Sequence, residues 1–208
     1  MHGWLHQLRA LGKINFIILR DGFGTAQATT QDADALTPLR DLQNESVIEV
    51  QGTVTAEPQA PNGTELRDIT IRVLTPVTET LPFPINKPVL NAALDTFLDH
   101  ATVGLRHPNK RALLRLGSGI MRAYREFLNG EGFTEIQSPK LVASATESGA
   151  NVFAVDYFGK KAYLAQSPQF YKQIMVGVFE RVYEIGPVFR AEPHDTTRHV
   201  NEYVSMDA

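Results

Sequence analysis

Short apolar segments that alternate with polar residues predict a β-rich first third of the chain. Four segments have the composition, or the period of two, that is typical of strands: residues 14–20, 25–30, 46–54 and 66–75. In the third of these, Ile48, Val50, Gly52 and Val54 fall on one face, which we expect to be buried. Residues 33–44 predict one short helix. This order favours a small barrel of the OB type, and an SH3-like barrel stays an alternative.

Prolines separate this region from the rest of the chain. They occur at Pro76, Pro82, Pro84 and Pro88. Because proline lacks the backbone donor and fixes φ, they predict a semi-rigid linker. We therefore divide the chain into an OB-type domain at 1–75, a linker or hinge at 76–104, and a second domain at 105–208.

The second domain has a helical period at first and strand-like segments afterwards. Residues 109–128 place an apolar stripe on one side of a helix and arginines on the other, and Asn129-Gly130 ends it. Strands are predicted at 152–157, 162–165 and 181–189, with a helix from Pro168 to Phe179 between the last two. Residues 200–206 are expected to pair antiparallel with the third strand. Helices on an antiparallel sheet predict an α+β fold.

Composition excludes several classes of protein. The chain has no cysteine, which excludes disulfides, thiolate metal sites and a cysteine nucleophile. No apolar run approaches the ~20 residues that span a bilayer, and the N-terminus lacks the layout of a secretory signal. We therefore expect a soluble, cytoplasmic protein without a membrane partner. A net charge of −3 argues against a nonspecific nucleic-acid coat, but not against binding of a few exposed bases.

The densest polar cluster lies in residues 189–203. Arg190 and Glu192 have the same strand parity, and Arg198 and His199 follow a loop. Guanidinium groups bind phosphate oxygens and a carboxylate accepts from an amino group, so the cluster suits a nucleoside triphosphate. A solvated hairpin with surface ion pairs is the alternative. The chain has no Walker loop and no G-x-G-x-x-G, so ATP would need another architecture.

The order of residues in this cluster resembles motif 2 of the class II aminoacyl-tRNA synthetases: Phe189-Arg190-Ala191-Glu192, a loop, then Arg198-His199-x-x-Glu202-Tyr203. Residues 132–140 resemble motif 1. Residues 146–149, 166–173 and 3–27 are similar to the archaeal-like aspartyl-tRNA synthetase branch, whose N-terminal OB-fold binds the anticodon. The resemblance runs along the whole chain and stops after motif 2. It implies the N-terminal half of such an enzyme, without motif 3.

This resemblance implies activation of aspartate by ATP, with Mg²⁺ bridging the phosphates, and transfer of the aspartyl group to tRNA. Arg190 is implied to bind the α-phosphate and the amino-acid carboxylate, where a fixed cation balances charge that grows in the transition state. Glu192, Arg198 and His199 are implied to contact ATP, and Tyr203 to stack on adenine. A core position is the alternative for Tyr203. No metal ligand is assigned, and motif 1 implies a homodimer.

The resemblance also implies the aspartate contacts. Lys172 would bind the side-chain carboxylate of aspartate, an interaction that the amide of asparagine does not gain. An exposed helix lysine is the alternative. The other residues implied to bind aspartate are Glu147, Gln166, Ser167 and Gln169.

In the barrel, Phe16 is implied to stack on the central anticodon base, although its apolar surroundings alone favour a core position. Stacking is worth ~1–3 kcal/mol per base whatever the sequence, so discrimination must come from polar residues. These are implied to be Arg9, Gln27 and Glu65. His6 and Pro61 resemble enzymes restricted to the aspartate tRNA, as opposed to those that also charge the asparagine tRNA.

Two other functions stay open at this point. One is a truncated paralogue that binds RNA through its OB-fold and catalyses nothing. The other is an asparaginyl-tRNA synthetase.

Overall fold

The computed structural model describes residues 1–144, 151–194, 196 and 198–208. Within these residues the chain forms two compact units, Met1–Lys110 and Arg111–Ala208. The predicted limits of the domains, at 75 and 104, stay a prediction.

The first unit contains a closed five-stranded barrel with the strand order β1-β2-β3-β5-β4, which confirms the OB type. Its strands are β1 (His2–Leu11), β2 (Ile14–Arg20), β3 (Thr25–Thr30), β4 (Val47–Ala56) and β5 (Thr64–Thr75). The sequence pattern predicted all of them except β1. β3 and β5 pair in parallel, with Gln27 opposite Glu65. The predicted helix at 33–44 is a 3-10 helix limited to Asp34–Leu39.

The barrel core is built mainly from the inward positions of the predicted strands, together with Leu5 of β1 and Leu39 of the 3-10 helix. Ile48 and Val50 are fully buried, but Val54, which was expected on the same face, is 70% exposed. The pairing of β4 with β5 shifts between Gln51 and Thr53, and Asp68 of the partner strand has a φ of 53°. A bulge bends the strands and increases their twist, so the end of β4 leaves the core.

The proline-rich segment packs within the first unit. Phe83 and Ile85 are buried, and the two short helices α1 (Leu94–Asp99) and α2 (Ala101–Gly104) follow. The imidazole of His107 is also buried: its Nε2 lies 2.9 Å from the carbonyl oxygen of Lys87, and its Nδ1 accepts from the backbone N–H of Asn109 at 3.2 Å.

A buried ion pair of the barrel region is also contacted by this segment, through Arg106. Arg20 donates to both carboxylate oxygens of Glu45 at 2.7 Å, and both side chains are 2% exposed. Arg106 donates to the same carboxylate at 3.2 Å. The guanidinium carbons of Arg20 and Arg106 each lie 5.3 Å from the ring centroid of Trp4. The barrel and the segment after it therefore share one electrostatic contact.

The second unit is built mainly from α3 (Pro108–Gly130), α4 and two three-stranded sheets, which confirms the α+β class. The first sheet has the order β11-β10-β6 and the second β7-β9-β8. The remaining elements are β6 (Thr134–Glu135), β7 (Leu141–Val142), β8 (Ala154–Tyr157), β9 (Lys160–Leu164), α4 (Gln169–Phe179), β10 (Val182–Phe189) and β11 (Glu202–Asp207). As predicted, β11 pairs antiparallel with β10.

The apolar stripe of α3 is largely exposed in the single chain. Only Leu128 of this helix is buried, in a cluster with Tyr183 and Ile185. The phenol of Tyr183 donates towards Asn129 and Glu135 at 3.1 Å, and burial raises its pKa. The exposed members of the stripe are Leu113, Leu116, Ile120 and Phe127.

No helix in the described part of the chain is long and apolar enough to cross a membrane.

The Arg20–Glu45 pair makes a testable prediction about stability. Removing one partner leaves an uncompensated buried charge, so Arg20→Met and Glu45→Gln should each lower the free energy of unfolding by about 3–5 kcal/mol. The double variant should lose less than the sum of the two, because neither buried charge then remains. Urea denaturation of the four proteins measures this coupling, and strictly additive losses would contradict it.

Candidate functional site

A large concavity opens on the barrel. Its volume is about 910 Å³, and strands β2, β3 and β5 and the connection between β4 and β5 form its wall. The predicted residues Phe16, Gln27 and Glu65 lie together in this wall. The other lining residues are Ile14, Thr29, Thr30, Gln31, Asp32, Ala35, Glu57, Gln59, Arg67, Asp68 and Ile69.

The buried carboxylate of Glu65 organises the floor of this concavity. It accepts hydrogen bonds from Gln27 Nε2 at 2.9 Å, Thr29 Oγ1 at 3.1 Å and Arg67 Nε at 2.7 Å. Burial acts to raise the pKa of Glu65, but these donors outweigh it and keep the pKa below its usual value. Because the amide nitrogen of Gln27 donates to Glu65, the orientation of that amide is fixed before any ligand binds.

Phe16 is half-buried and lies outside the barrel core, although its run of apolar neighbours favoured a core position. Its ring is part of the wall of the concavity. Arg9 is exposed and lies opposite Phe16 in the pairing of β1 with β2, so the two residues are cross-strand neighbours. An exposed cation next to an aromatic ring can contact a base and its phosphate.

His6 and Pro61 are not among the residues that line the concavity. His6 is at the shift in register of β1, and its Nδ1 lies 2.9 Å from the guanidinium of Arg20. Burial and, secondly, the positive charge of Arg20 lower the pKa of His6. Pro61 is exposed at the start of the 3-10 turn Pro61–Gly63.

Sequence reasoning missed four charged residues of the concavity, Arg67, Glu57, Asp32 and Asp68. Arg67 follows Glu65 by two positions in β5, so the parity of the strand could have indicated that both side chains share a face. Glu57 lies in the connection between β4 and β5, where no pattern in the sequence pointed to it.

The second unit has a cavity of about 530 Å³. The predicted residues Ser167, Gln169, Lys172 and Arg190 all line it. They come from the start of α4 and the end of β10, which are distant in sequence. The other lining residues are Gln173, Val176, Val182, Asp207 and Ala208.

Lys172 is ion-paired in this cavity. Its ammonium group donates to the carboxylate of Asp207 and to the carbonyl oxygen of Ala208 at 3.1 Å. The side chain of Lys172 is only 19% exposed, so it is not an ordinary surface lysine. Sequence reasoning missed Asp207, although it has the same strand parity as Tyr203 in β11.

Arg190 and Tyr203 lie next to each other across the β10–β11 hairpin. The backbone N–H of Arg190 donates to the carbonyl of Asn201 at 2.9 Å, and its guanidinium carbon is 5.9 Å from the ring centroid of Tyr203. Tyr203 is 36% exposed, so it does not occupy a core position. Its ring is therefore accessible on the hairpin that presents Arg190.

The remaining predicted residues that the structure describes are not among those that line this cavity. Gln166 is fully buried just before Ser167. Glu192 faces His199, with Oε2 and Nε2 3.8 Å apart, and Thr196 Oγ1 lies 2.7 Å from His199 Nδ1. Arg198 is exposed. Glu147 lies outside the described residues.

No group of three or more histidine, aspartate or glutamate side chains that could bind a metal ion occurs in the part of the chain that the structure describes.

Comparisons with known proteins support both units. The sequence model of the OB-fold nucleic acid binding domain matches residues 1–74, and that of the class II tRNA synthetases (D, K and N) matches residues 93–208. The chain is 48% identical to the aspartate–tRNA(Asp/Asn) ligase of Deinococcus radiodurans, over 100% of this chain and 46% of that protein. It is 46% identical to the enzyme of the same name from Thermus thermophilus, over 99% of this chain and 47% of that protein.

Solved structures show the same architecture. The asparaginyl-tRNA synthetase of Pyrococcus horikoshii, complexed with asparaginyl-adenylate, superposes with a TM-score of 0.88 at 32% identity, over 98% of this chain and 47% of that one. A putative aspartyl-tRNA synthetase from Leishmania major gives 0.81 at 33% identity, over 99% and 43%.

The chain spans about half the length of the curated relatives that it matches. These matches confirm the resemblance of motifs 1 and 2 and of the N-terminal barrel. The synthetase model alone covers more than half of the 208 residues, and the chain therefore belongs to the class II tRNA synthetases of the D, K and N group.

Proposed function

We propose that this chain acts in the ATP-dependent activation of aspartate and its transfer to tRNA, as a cytoplasmic aspartate–tRNA ligase. The observation that supports this most strongly is the set of charges in the second unit. Two cations, Lys172 and Arg190, and one anion, Asp207, line a single cavity of about 530 Å³.

These charges are complementary to free aspartate, which carries two carboxylates and one ammonium group. Lys172 pairs with the side-chain carboxylate, Arg190 with the α-carboxylate, and Asp207 accepts from the α-ammonium group. Ser167 and Gln169 add hydrogen bonds at the start of α4. A buried charge needs a partner of opposite sign, so a ligand that matches all three charges is favoured over one that matches two.

The activation step joins the α-carboxylate of aspartate to the α-phosphorus of ATP and releases pyrophosphate. Negative charge grows on the phosphorus oxygens, and the guanidinium of Arg190 is the group that balances it. Tyr203 stacks on adenine, Glu192 contacts ATP, and Arg198 and His199 contact the outer phosphates. Mg²⁺, when bound, would supply positive charge that offsets the charge of the phosphates, and we assign it no protein ligand.

Asparagine is the competing amino acid, because a solved structure similar to this chain is an asparaginyl-tRNA synthetase with its adenylate. Its amide is neutral and gains no ion pair with Lys172, which would then stay on Asp207. The charges of the cavity therefore favour aspartate. The names of the curated relatives agree with this choice.

The barrel is proposed to bind the anticodon loop of tRNA. Phe16 stacks on the central base, and Arg9 lies beside it. The amide N–H of Gln27 donates to Glu65. The carbonyl oxygen of Gln27 is therefore the group that can accept a hydrogen bond from a base N–H. Uracil has such a donor, whereas the corresponding ring nitrogen of cytosine is an acceptor.

We further propose that both the aspartate and the asparagine tRNAs are accepted, since the relatives are named for both. His6 and Pro61 suggested restriction to the aspartate tRNA. His6, however, contacts Arg20, and neither residue is among those that line the concavity.

We also propose that the exposed stripe of α3 forms a homodimer interface, as motif 1 implies. Leu113, Leu116 and Phe127 are each at least 60% exposed. A contiguous apolar helix face of this kind is unusual on a monomer and is typical of an interface.

The first test concerns aspartate. Replacing Lys172 with methionine should weaken aspartate binding by about 10- to 100-fold, because a carboxylate loses its charge-assisted partner, and should change asparagine binding little. Lys160→Met, at the exposed start of strand β9, is the matched control. Calorimetry with each amino acid measures this, and equal losses in both variants would contradict the assignment.

Aspartate-dependent exchange of pyrophosphate into ATP by the chain itself would exclude the non-catalytic RNA-binding paralogue. Preference for asparagine in the calorimetric titration would support the asparaginyl alternative.

The second test concerns tRNA. Phe16→Ala should weaken binding of an aspartate tRNA transcript by roughly 5- to 150-fold, the equivalent of ~1–3 kcal/mol for one stacked base. Phe23→Ala removes an equally aromatic but 92% exposed ring from the turn between β2 and β3, and should have no effect. Fluorescence anisotropy measures both, and identical affinities of the two variants would overturn the role of Phe16.

The third test concerns assembly. Leu116→Glu places a charge in the proposed interface and should weaken dimerisation by at least about 30-fold, the effect of a hot-spot residue. Leu98→Glu, in the exposed helix α1, is the control. Sedimentation velocity at several concentrations measures the association, and a wild-type chain that sediments as a monomer throughout would refute the interface.

A further inference from the structure

The guanidinium of Arg67 is fixed between two carboxylates in the barrel concavity. Its Nε donates to Glu65 Oε1 at 2.7 Å, and its Nη2 donates to Glu57 Oε2 at 3.2 Å. The side chains of Glu65, Glu57 and Arg67 are 5%, 31% and 47% exposed. Arg67 is therefore oriented from the buried side, while the outer part of its planar fork faces solvent.

These two hydrogen bonds use only part of the donors of the guanidinium, so its remaining N–H groups can bind a ligand. A guanidinium carries its donors in a rigid plane that matches two adjacent acceptors. Because the two carboxylates already fix its orientation, little conformational entropy is lost when a ligand binds. The site is thus suited to a planar group with two acceptors side by side.

The charge of the concavity argues against a phosphate at this position. Its charged lining residues are Asp32, Glu57, Glu65, Asp68 and Arg67, so carboxylates outnumber the single cation among them. Negative charge in the wall repels a phosphodiester, whereas an uncharged base edge is not repelled. Carboxylates near the base can also accept from its N–H groups.

The two acceptors identify the base. Guanine presents O6 and N7 next to each other, whereas adenine pairs its N7 with an amino donor, and each pyrimidine offers at most one acceptor on this edge. Guanine also carries N–H groups on its opposite edge, which suit carboxylate acceptors. In an unpaired loop cytosine also presents two adjacent acceptors, O2 and N3, but its one donor group lies on that same edge. Guanine has its acceptors on one edge and its donors on another, so it matches the fork and the acidic wall together better than the other three bases.

We propose that Arg67, fixed by Glu57 and Glu65, is the residue that selects guanine in the RNA loop bound by the barrel. This inference rests on the proposed binding of the anticodon loop. The anticodons that the genetic code gives to aspartate and asparagine, GUC and GUU, both begin with guanine. Arg67 contacts O6 and N7 of this base, next to the base that stacks on Phe16.

The test uses the whole chain and RNA hairpins that carry the aspartate anticodon loop. Three hairpins are compared, in which the first anticodon base is guanine, adenine or 7-deazaguanine. The last of these bases lacks the N7 acceptor. The wild-type chain should bind the guanine hairpin roughly 5- to 150-fold more tightly than the adenine hairpin, the range expected for one bidentate contact. The 7-deazaguanine hairpin should fall between them.

Arg67→Gln should abolish the preference for guanine over adenine and over 7-deazaguanine, because a glutamine amide has no pair of adjacent donors for O6 and N7. Arg67→Lys keeps the charge without the fork and should not restore discrimination. The matched control is Arg72→Gln. Arg72 is also in β5 and also pairs with a glutamate, since its Nε donates to Glu49 at 2.8 Å, but it lies outside the concavity lining. This variant should discriminate like the wild type.

Three outcomes would overturn the inference. If Arg67→Gln weakens all hairpins equally and reduces the salt dependence by about one phosphate contact, Arg67 binds the backbone. If the wild type does not distinguish 7-deazaguanine from guanine, while Phe16→Ala still weakens binding, the proposed role of Arg67 is wrong. The proposal that the barrel binds the anticodon loop is then unaffected. If no hairpin binds and Phe16→Ala has no effect on tRNA, both proposals fall.

Discussion

A carboxylate that is removed from water must be surrounded by donors, and the barrel and the synthetase unit both depend on this requirement. Glu45, Glu65 and Glu184 are each at most 6% exposed. Each one binds side chains that are distant in sequence, because the local backbone alone does not satisfy both of its oxygens. The buried acids therefore fix the positions of Arg20, Gln27, Arg67 and Lys140 before any ligand arrives.

The same constraint orders the cavity of the second unit. Glu184 of β10 accepts from Lys140 and from Ser138. The carbonyl of Lys140 accepts from the backbone N–H of Ala165 at 2.9 Å, and the carbonyl of Ala165 accepts from Phe189 at 3.0 Å. The chain segment that leads to Ser167 is thereby attached on one side to Lys140 and on the other to the strand that presents Arg190. These backbone hydrogen bonds limit how far the residues that line the cavity must move when a ligand binds.

Local pattern was sufficient for most of the strands and for α3, but not where tertiary contacts override it. β1 was missed because its register shifts near His6, which interrupts the period of two. The predicted helix at 33–44 shortens to a 3-10 helix that contains Pro38, since proline cannot donate to the preceding turn. Val54 leaves the core next to the bulge that contains Asp68. The alternation of apolar and polar residues in a sequence does not reveal a bulge.

The candidate site shows the same division. Resemblance placed Lys172 and Arg190, and the structure brings them into one cavity. Asp207 and Arg67 were not found, because each is a single charged residue in a strand whose role depends on a partner elsewhere. Asp207 meets Lys172 from 35 positions away, and the Glu65 that fixes Arg67 also binds Gln27, which is 38 positions distant. Sequence spacing contains no information about such pairs until the strands are in register.

The two proposed binding sites differ in the sign of their charge, and this difference matches the ligands. The cavity with Lys172 and Arg190 has an excess of cations, which suits an acidic amino acid and a phosphate. The barrel concavity has an excess of carboxylates, so it gains little from neutralising the RNA backbone. Its affinity must come from stacking and from hydrogen bonds to base edges, which depend on the sequence of the loop. An acidic concavity therefore attracts RNA less strongly in general, but it can discriminate between loops of different sequence.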